Sequence, residues 1–130
     1  MTTYLDLPDL LAVIEELGIG PVEDLGLLDA ALARPRSHYF GLEVYPTMPL
    51  KAAALLDALC NHHGLRDGQK RMALTATLVF LRLNGYTSGM NEDEAHDLTL
   101  DVASGLHDLK VIASRLDVAL DLDRPSRPST

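Results

Sequence analysis

The sequence predicts an all-α, single-domain protein that forms a helical bundle around a central buried helix. The chain has 130 residues, which suits one domain with a buried core. Hydrophobic residues make up 47% of it and aromatic residues only 5%, and this bias favours helices over sheets. Apolar residues also recur at helical spacing in several stretches. Residues 123–130 are too polar and proline-rich to pack, so we expect a domain over 1–122 and a disordered tail.

Charge and cysteine content narrow the class of protein. The formal net charge is −8, which argues against binding to nucleic acid or to an anionic membrane. The single cysteine, Cys60, excludes an intramolecular disulfide and a cysteine-rich zinc site, and it fits a reducing cytoplasm. There is no secretory signal pattern and no apolar run of membrane-spanning length. We therefore expect a soluble, cytoplasmic protein.

Two helices are predicted in the first quarter of the chain. Asp6 is a candidate N-cap for the first helix, and Gly18 ends it. Residues 24–26 are interpreted as a turn. Residues 27–33 then form a short helix, because Pro35 blocks its continuation.

Residues 36–47 have no helical pattern and predict an irregular loop or a small hairpin. Aromatic residues Tyr39, Phe40 and Tyr45 stand among chain-breaking residues there. A connection of this length is often a binding loop or lid. Alternatively, the three rings cover the edge of the core, and the sequence leaves both interpretations open.

Two apolar runs, residues 49–60 and 72–83, predict buried helices. Pro49 starts the first, and His63 follows Leu59 on the same face one turn later. The second run is apolar on nearly every side, which predicts that it is the central helix of the bundle.

Two further helices are predicted after residue 90. Asn91 and Glu94 have the spacing of a capping box for a fifth helix that reaches Ala103. Asp108 is a candidate cap for a sixth, whose apolar positions continue to Leu120.

The polar segment between the two apolar runs, residues 63–71, holds the candidate chemistry. It combines an imidazole at His63, a carboxylate at Asp67 and two cations at Lys70 and Arg71. Cations at the start of a helix oppose the helix dipole, so their presence there suggests a bound anion. Arginine can bind phosphate in a bidentate manner.

Phosphoryl or nucleotidyl transfer is the chemistry that this segment suits. Gly68 opens the second buried helix, so the free N–H groups of Gly68, Gln69 and Lys70 would face an anion. Asp67 could hold Mg²⁺, which takes one or two carboxylates and leaves its other positions to phosphate and water. His63 could accept a proton from a hydroxyl nucleophile at neutral pH.

Residues 63–71, read as His-Gly-Leu-Arg-Asp-Gly-Gln-Lys-Arg, resemble the central motif of the Fic/Doc family, HxFx(D/E)(A/G)N(K/G)R. The resemblance continues over residues 26–35, 45–47, 51–56 and 78–86. Gln69 stands where the family motif has Asn, and Gly64 where many relatives have Pro. The short chain points to the death-on-curing (Doc) branch of the family.

The resemblance implies a Fic-fold helical bundle with a small flap at residues 41–47 that aligns the target. It implies the toxin of a type II toxin–antitoxin system, an ATP-dependent protein kinase that phosphorylates a threonine of elongation factor Tu and stops translation. A Phd-type antitoxin would be the partner, and ATP and Mg²⁺ the cofactors.

The resemblance also implies roles for individual residues. His63 would be the base, Asp67 the Mg²⁺ ligand, and Leu65 a buried anchor of the loop. Asp67, Lys70 and Arg71 would act with His63 in catalysis. The nucleotide site would be lined by Gly68, Gln69, Lys70 and Arg71.

Simpler structural roles remain open for several of these residues. His63 could be a helix-end histidine that satisfies the last carbonyls of its helix, with His62 as a solvated neighbour. Asp67 could be only a turn residue. A His62/His63/Asp67 zinc site lacks the usual spacing. The remaining histidines are expected at the surface without partners, and Cys60 as a core residue; the histidines are His38, His96 and His107.

Two other functions remain open beside the kinase. One is a Fic-type enzyme that transfers AMP or another nucleotide group. The other is a non-catalytic member of the family that acts only as the antitoxin's binding partner or co-repressor. A helix-turn-helix DNA reader around residues 64–68 conflicts with the acidic charge.

Overall fold

The computed structural model describes residues 1–123, which form six α-helices and two small antiparallel β pairings. This architecture confirms the all-α prediction. The helices are α1 (Leu7–Leu17), α2 (Leu25–Ala33), α3 (Met48–Asn61), α4 (Gln69–Leu83), α5 (Glu92–Ala103) and α6 (Leu109–Leu116). The strands are β1 (His38–Tyr39), β2 (Leu42–Glu43), β3 (Tyr86–Ser88) and β4 (Val118–Leu120). Short 3₁₀ turns follow α2 and β4.

The central helix of the bundle is α3, not α4 as the apolar pattern predicted. Every residue of α3 from Lys51 to Cys60 is buried, and α3 packs against α2, α4, α5 and α6. Helix α4 buries one face only: Leu74 and Leu78 are partly exposed, and Leu83 is 52% exposed. The alanine-rich sequence of α3 lets neighbouring helices approach on all sides, whereas the leucines of α4 leave an open groove beside α5.

Local capping residues begin and end the helices much as the sequence predicted. Asp6 and Asp9 form a reciprocal capping box at the start of α1, and Gly18 ends that helix in the left-handed conformation. Asn91 and Glu94 form the capping box of α5. These predictions are confirmed because each depends on a short local pattern.

Helix α2 starts two residues earlier than predicted. The Asp24 carboxylate accepts a hydrogen bond from the Leu27 N–H at 3.0 Å, which makes Asp24 an N-cap. The predicted turn at residues 24–26 is therefore wrong. At the other end, α2 passes into a 3₁₀ turn that contains Pro35.

Residues 38–43 form the predicted small hairpin. His38 pairs with Glu43 and Tyr39 with Leu42 in antiparallel register. The alternative that the rings cover the core is wrong for two of them, because Tyr39 is 70% and Phe40 89% exposed. Tyr45 is partly buried.

The pairing of β3 with β4 was not predicted from the sequence. Helix α6 was expected to continue to Leu120, but it ends at Leu116 because Asp117 adopts the left-handed conformation with φ +49°. Val118–Leu120 then pairs with Tyr86–Ser88, the strand that directly follows α4. This pairing holds the end of the described chain against the end of α4.

The predicted tail lies almost entirely outside the described residues. Asp123 completes a 3₁₀ turn, and residues 124–130 are not described. Among residues 1–123, none of the helices is both long and apolar enough to span a membrane.

Candidate active site

The central loop, residues 62–68, joins α3 to α4 and is held in place by the segment that follows α1. Val22 and Leu65 form an isolated antiparallel bridge. The Gly64 carbonyl accepts the Glu23 N–H at 2.7 Å, and the Pro21 carbonyl accepts the Arg66 N–H at 3.1 Å. These main-chain bonds make the loop one partner of a short two-stranded structure.

Gly64 is required by close packing. A Cβ atom built on it would lie 2.6 Å from Cγ of Leu28 and 2.7 Å from the carbonyl oxygen of Asp24, well inside contact distance. Gly64 is buried. The loop is ordered here because its backbone docks against the start of α2.

The Gln69 side chain is a brace inside the loop. Its Nε2 donates to the carbonyls of Leu59 at 2.6 Å and His62 at 2.8 Å, and its Oε1 accepts the Leu65 N–H at 3.0 Å. The residue is only 7% exposed. The Gln69 side chain was expected to line the nucleotide site, but its amide is already hydrogen-bonded to the backbone. Only the main-chain N–H of Gln69 remains for a ligand.

The start of α4 has the geometry of an anion-binding helix end. Gly68 precedes the helix with φ +89°, and a Cβ there would meet Ile19 at 2.7 Å, so glycine is needed for both conformation and space. No side chain caps this end. The first helical hydrogen bond runs from the Met72 N–H to the Gly68 carbonyl, so the N–H groups of the first turn have no acceptor within the helix.

The sequence predicted His63 on one face of α3. In the structure His63 lies beyond the end of that helix. Helix α3 ends at Asn61, and His62 is its C-cap. The imidazole Nδ1 of His62 lies 2.7 Å from the Ala58 carbonyl oxygen. The helix-end role considered for His63 therefore belongs to His62, which is partly buried and is not the solvated neighbour that was expected.

Four side chains of the motif are free for chemistry. His63, Asp67, Lys70 and Arg71 are exposed. Within residues 1–123, none of these four side chains takes part in a hydrogen bond or an ion pair. The loop is thus rigid in its backbone and open in its polar side chains, which is the arrangement that a preorganised site needs.

Lys70 and Arg71 open onto a groove of about 360 Å³ between α4 and α5. Its walls are mainly apolar, with Leu74 from α4 and His96 from α5 among them. A volume of this size falls in the range of small-ligand sites. His63 and Asp67 are not among the lining residues, so the structure brings the two cations together at the groove but does not place the candidate base in it.

A buried carboxylate that sequence reasoning missed lies one turn before the end of α3. Asp57 binds Arg34 at 2.6 Å, His107 at 2.8 Å and the Asn61 amide nitrogen at 3.0 Å. The expectation that His107 has no partner is wrong, because its Nδ1 faces Asp57. An aspartate within an apolar helical run was the signal in the sequence that could have found this cluster.

Arg34 links that carboxylate to the segment after the hairpin. Its Nε donates to the Tyr45 hydroxyl at 3.1 Å, and its guanidinium lies 5.7 Å from the Tyr45 ring centre. Burial by itself would lower the pKa of Arg34, but hydrogen bonds to Asp57 and Tyr45 outweigh it and raise that pKa above its ordinary value.

Lys51 anchors the hairpin to α3. The residue is only 3% exposed, and its ammonium donates to the Glu43 carboxylate at 2.9 Å and to the Tyr45 carbonyl. The hydrogen bond from Lys51, reinforced by its charge, lowers the pKa of the Glu43 carboxyl. A lysine inside the apolar run of α3 was again the available signal.

The residues present fit ATP and Mg²⁺ by their chemistry. The uncapped helix start and the two free cations suit phosphate oxygens, and the free Asp67 carboxylate suits Mg²⁺ held jointly with phosphate. Among the described residues, no three His, Cys, Asp or Glu side chains converge on one point. The zinc site considered for His62, His63 and Asp67 is therefore wrong.

The structure is a helical bundle in which a braced loop leads into an uncapped helix start that carries two free cations, Lys70 and Arg71. Comparison with known proteins makes this specific. The model of the Fic/DOC family matches residues 4–81, which include the whole motif. The chain is also 44% identical over 120 residues to the "Toxin Doc" of Mycolicibacterium smegmatis, covering 89% of this chain and 92% of that protein. The chain belongs to the Fic/Doc family.

Proposed function

We propose that this protein is the toxin of a type II toxin–antitoxin system and that it transfers a phosphoryl group from ATP to a threonine of elongation factor Tu in the cytoplasm. The observation that carries the proposal is the central loop: its backbone is fixed by buried contacts while the motif side chains stay free. Similarity to a protein named as the toxin Doc supports the toxin role. Loss of functional elongation factor Tu would stop translation.

His63 is the proposed base. It would accept the proton of the threonine hydroxyl as the oxygen attacks the γ-phosphorus of ATP. The phosphoryl group passes to the threonine, and ADP leaves. The exposed imidazole has no partner within residues 1–123, so nothing must be displaced before it accepts the proton.

The start of α4 is the proposed phosphate site. The N–H groups after Gly68, together with Lys70 and Arg71, would hold the phosphate oxygens and stabilise the charge that develops during transfer. Asp67 would hold Mg²⁺, which supplies charge neutralisation of the phosphates when bound. Gln69 would act only by bracing the loop.

Isotope labelling tests the reaction. Elongation factor Tu is incubated with the protein, Mg²⁺ and ATP labelled at the γ or the α phosphate. Label transferred only from the γ position supports the kinase, and label from the α position supports the alternative of AMP transfer. If label is transferred from neither position, the result supports a non-catalytic binding partner and overturns the proposal.

Variants test the residue roles in the same assay. His63→Ala and Asp67→Ala should abolish transfer while helical circular dichroism is unchanged, because both side chains are exposed. Asp29→Ala, which removes an exposed carboxylate from α2, is the matched control and should keep full activity. Full activity in both motif variants would refute the assigned roles.

The antitoxin partner is testable in cells. We propose a Phd-type antitoxin encoded beside this chain. Expression of this protein alone should arrest growth, and co-expression of the neighbouring small reading frame should restore it. His63→Ala should not arrest growth; if it does, the toxicity does not depend on catalysis.

A further inference from the structure

The Asp57 cluster joins three separate parts of the chain at one buried carboxylate. Asp57 lies on α3, Arg34 follows α2, Asn61 ends α3, and His107 lies in the connection between α5 and α6. Tyr45, in the flap region of residues 41–47, is attached through Arg34. Neither Asp57 nor Arg34 has a part in the proposed chemistry of the central loop.

We propose that Asp57 is a positioning residue that fixes the flap and the end of α3 relative to each other. One carboxylate oxygen binds Arg34, and Arg34 in turn binds the Tyr45 hydroxyl. The other oxygen binds Asn61, two residues before His63. Asn61, two residues before the proposed base, and the segment expected to align the target are therefore connected to different oxygens of the same carboxylate.

The hydrogen bonds around Asn61 set its orientation. Its amide nitrogen donates to both the main-chain carbonyl and the carboxylate of Asp57, at 2.8 and 3.0 Å. Because both partners are acceptors, the nitrogen must face Asp57 and the amide oxygen must face away. Asp57 therefore holds the Asn61 amide at the point where the central loop departs from α3.

The buried charge makes this connection sensitive to substitution. The Asp57 side chain is 8% exposed, whereas Arg34 is 30% and His107 58% exposed. If the contacts break, water can hydrate Arg34 and His107 in place of the carboxylate. Water cannot readily reach the buried Asp57 carboxylate to replace its two partners. Asp57 is thus the element on which the whole connection depends.

A contrasting pair is available as a control. Asp101 binds Arg115 at 2.8 Å, with the same chemistry, but its side chain is 56% exposed and joins only α5 to α6. Asp101→Asn removes a carboxylate–guanidinium pair without touching the flap. It therefore reports what loss of such a pair does in general.

Amide hydrogen exchange of the full chain, read by mass spectrometry, tests the connection without using activity. Tyr45→Phe removes one hydrogen bond and should speed exchange in residues 38–47 by about two- to tenfold, the range for one hydrogen bond. Asp57→Asn should speed it there and also in residues 61–64 and 104–108. Asp101→Asn should leave residues 38–47 and 61–64 unchanged.

The pattern separates positioning from loss of stability. A general loss of stability would speed exchange in α1 as well, and that outcome would overturn the proposal. Unchanged exchange of residues 38–47 in both Tyr45→Phe and Asp57→Asn would also overturn it. If Asp57→Asn fails to fold, Tyr45→Phe and Arg34→Gln still decide the matter, since each breaks the flap connection without removing the buried carboxylate.

Kinetics extend the test and rest on the proposed function. Tyr45→Phe should raise the KM for elongation factor Tu several-fold while kcat and the KM for ATP stay unchanged. Asp57→Asn should raise the same KM and also lower kcat, because it removes the charge and one of the two acceptor oxygens that Arg34 and Asn61 share. Equal changes in all parameters would contradict positioning. If the wild-type protein transfers no label, the proposed function fails, and hydrogen exchange alone decides the role of Asp57.

Discussion

At the scale of single residues, the Gln69 amide stabilises the central loop through three backbone partners. Gln69→Ala would leave the buried Leu59 carbonyl and the buried Leu65 N–H without partners, and the His62 carbonyl with the Gly64 N–H alone. Each unsatisfied group costs about 1–3 kcal/mol, so we expect a loss of roughly 3 kcal/mol or more in the free energy of unfolding. Urea denaturation measures it.

Gln69→Asn makes the same point with less chemical change. The shorter side chain cannot reach all three partners, so this variant should also lose stability even though it restores the residue type of the family motif. Arg71→Ala, an exposed change in the same helical turn, is the control and should lie within about 0.5 kcal/mol of the wild type. A stable Gln69→Asn variant would show that the loop can close around asparagine.

Gly64 tests the fit of the loop against α2. Gly64→Ala should lower the free energy of unfolding by about 1–3 kcal/mol, since the added methyl overlaps both a side chain and a backbone carbonyl. Gly26→Ala, where the nearest atom to the new Cβ is 3.2 Å away, is the matched control and should have a much smaller effect. Equal effects of the two changes would mean that the loop moves aside freely.

At the scale of elements, the hairpin carries strain at its tip. Phe40 has φ +50° and is 89% exposed, so it accepts an unfavourable backbone without burying its ring. Phe40→Asn should keep stability or raise it by up to about 1 kcal/mol in thermal unfolding, because asparagine tolerates this conformation. The chain's other phenylalanine gives the contrast: Phe80→Ala, in the core, should cost about 3–5 kcal/mol.

Phe40→Asn also tests whether the exposed ring of Phe40 has a function. If the tip contacts the target, Phe40→Asn should slow transfer to elongation factor Tu although it folds normally. A Phe40→Asn variant that loses more than about 1 kcal/mol would refute the claim of strain, because only the edge-on contact with Tyr39 is removed.

The attachment of the hairpin depends on pH through Glu43. Lys51 lowers the pKa of Glu43 in the folded protein, so this pair stabilises the fold fully above the ordinary carboxyl value of 4.5. That contribution is lost as the pH falls through the lower folded value. The difference in unfolding free energy between wild type and Glu43→Gln should therefore be present at neutral pH and disappear in acid. A difference that persists at a pH well below 4 would contradict this account.

What the sequence could predict depends on how local each signal is. The caps at Asp6, Asn91 and Asp108 are set within four residues, and all three predictions are confirmed. The end of α6 could not be found in this way, because apolar residues continue past it. That helix ends where Asp117 turns and where a strand from a distant part of the chain is available for pairing.

In the candidate site, too, local features could be predicted from the sequence and contacts between distant residues could not. The motif marked the loop and the start of α4 from adjacent residues. The contacts of Asp57 and Lys51 could not be predicted from the apolar run that contains them, because their partners, Arg34 and Glu43, lie outside that run. The role of Gln69 was missed because only the folded loop brings its three backbone partners around one amide.

At the scale of the whole molecule, Cys60 reports how the bundle opens. It is the sole cysteine of the sequence and is 1% exposed near the end of the central helix. Burial, and after it the Asp57 charge, raise the pKa of its thiol to about 12. The reactive thiolate is therefore both scarce and shielded in the folded protein, and a thiol reagent must wait for α3 to lose its neighbours.

Because α3 packs against four other helices, we expect that opening to be global. The rate of Cys60 labelling in the folded protein should rise with urea as steeply as the equilibrium unfolding constant from circular dichroism does. Asp101→Asn, on the surface, should leave the rate nearly unchanged, whereas Gly64→Ala should raise it in proportion to the lost stability. A rate that is fast and independent of urea would mean that the end of α3 opens alone, and the braced loop next to it would then be far less rigid than its contacts imply.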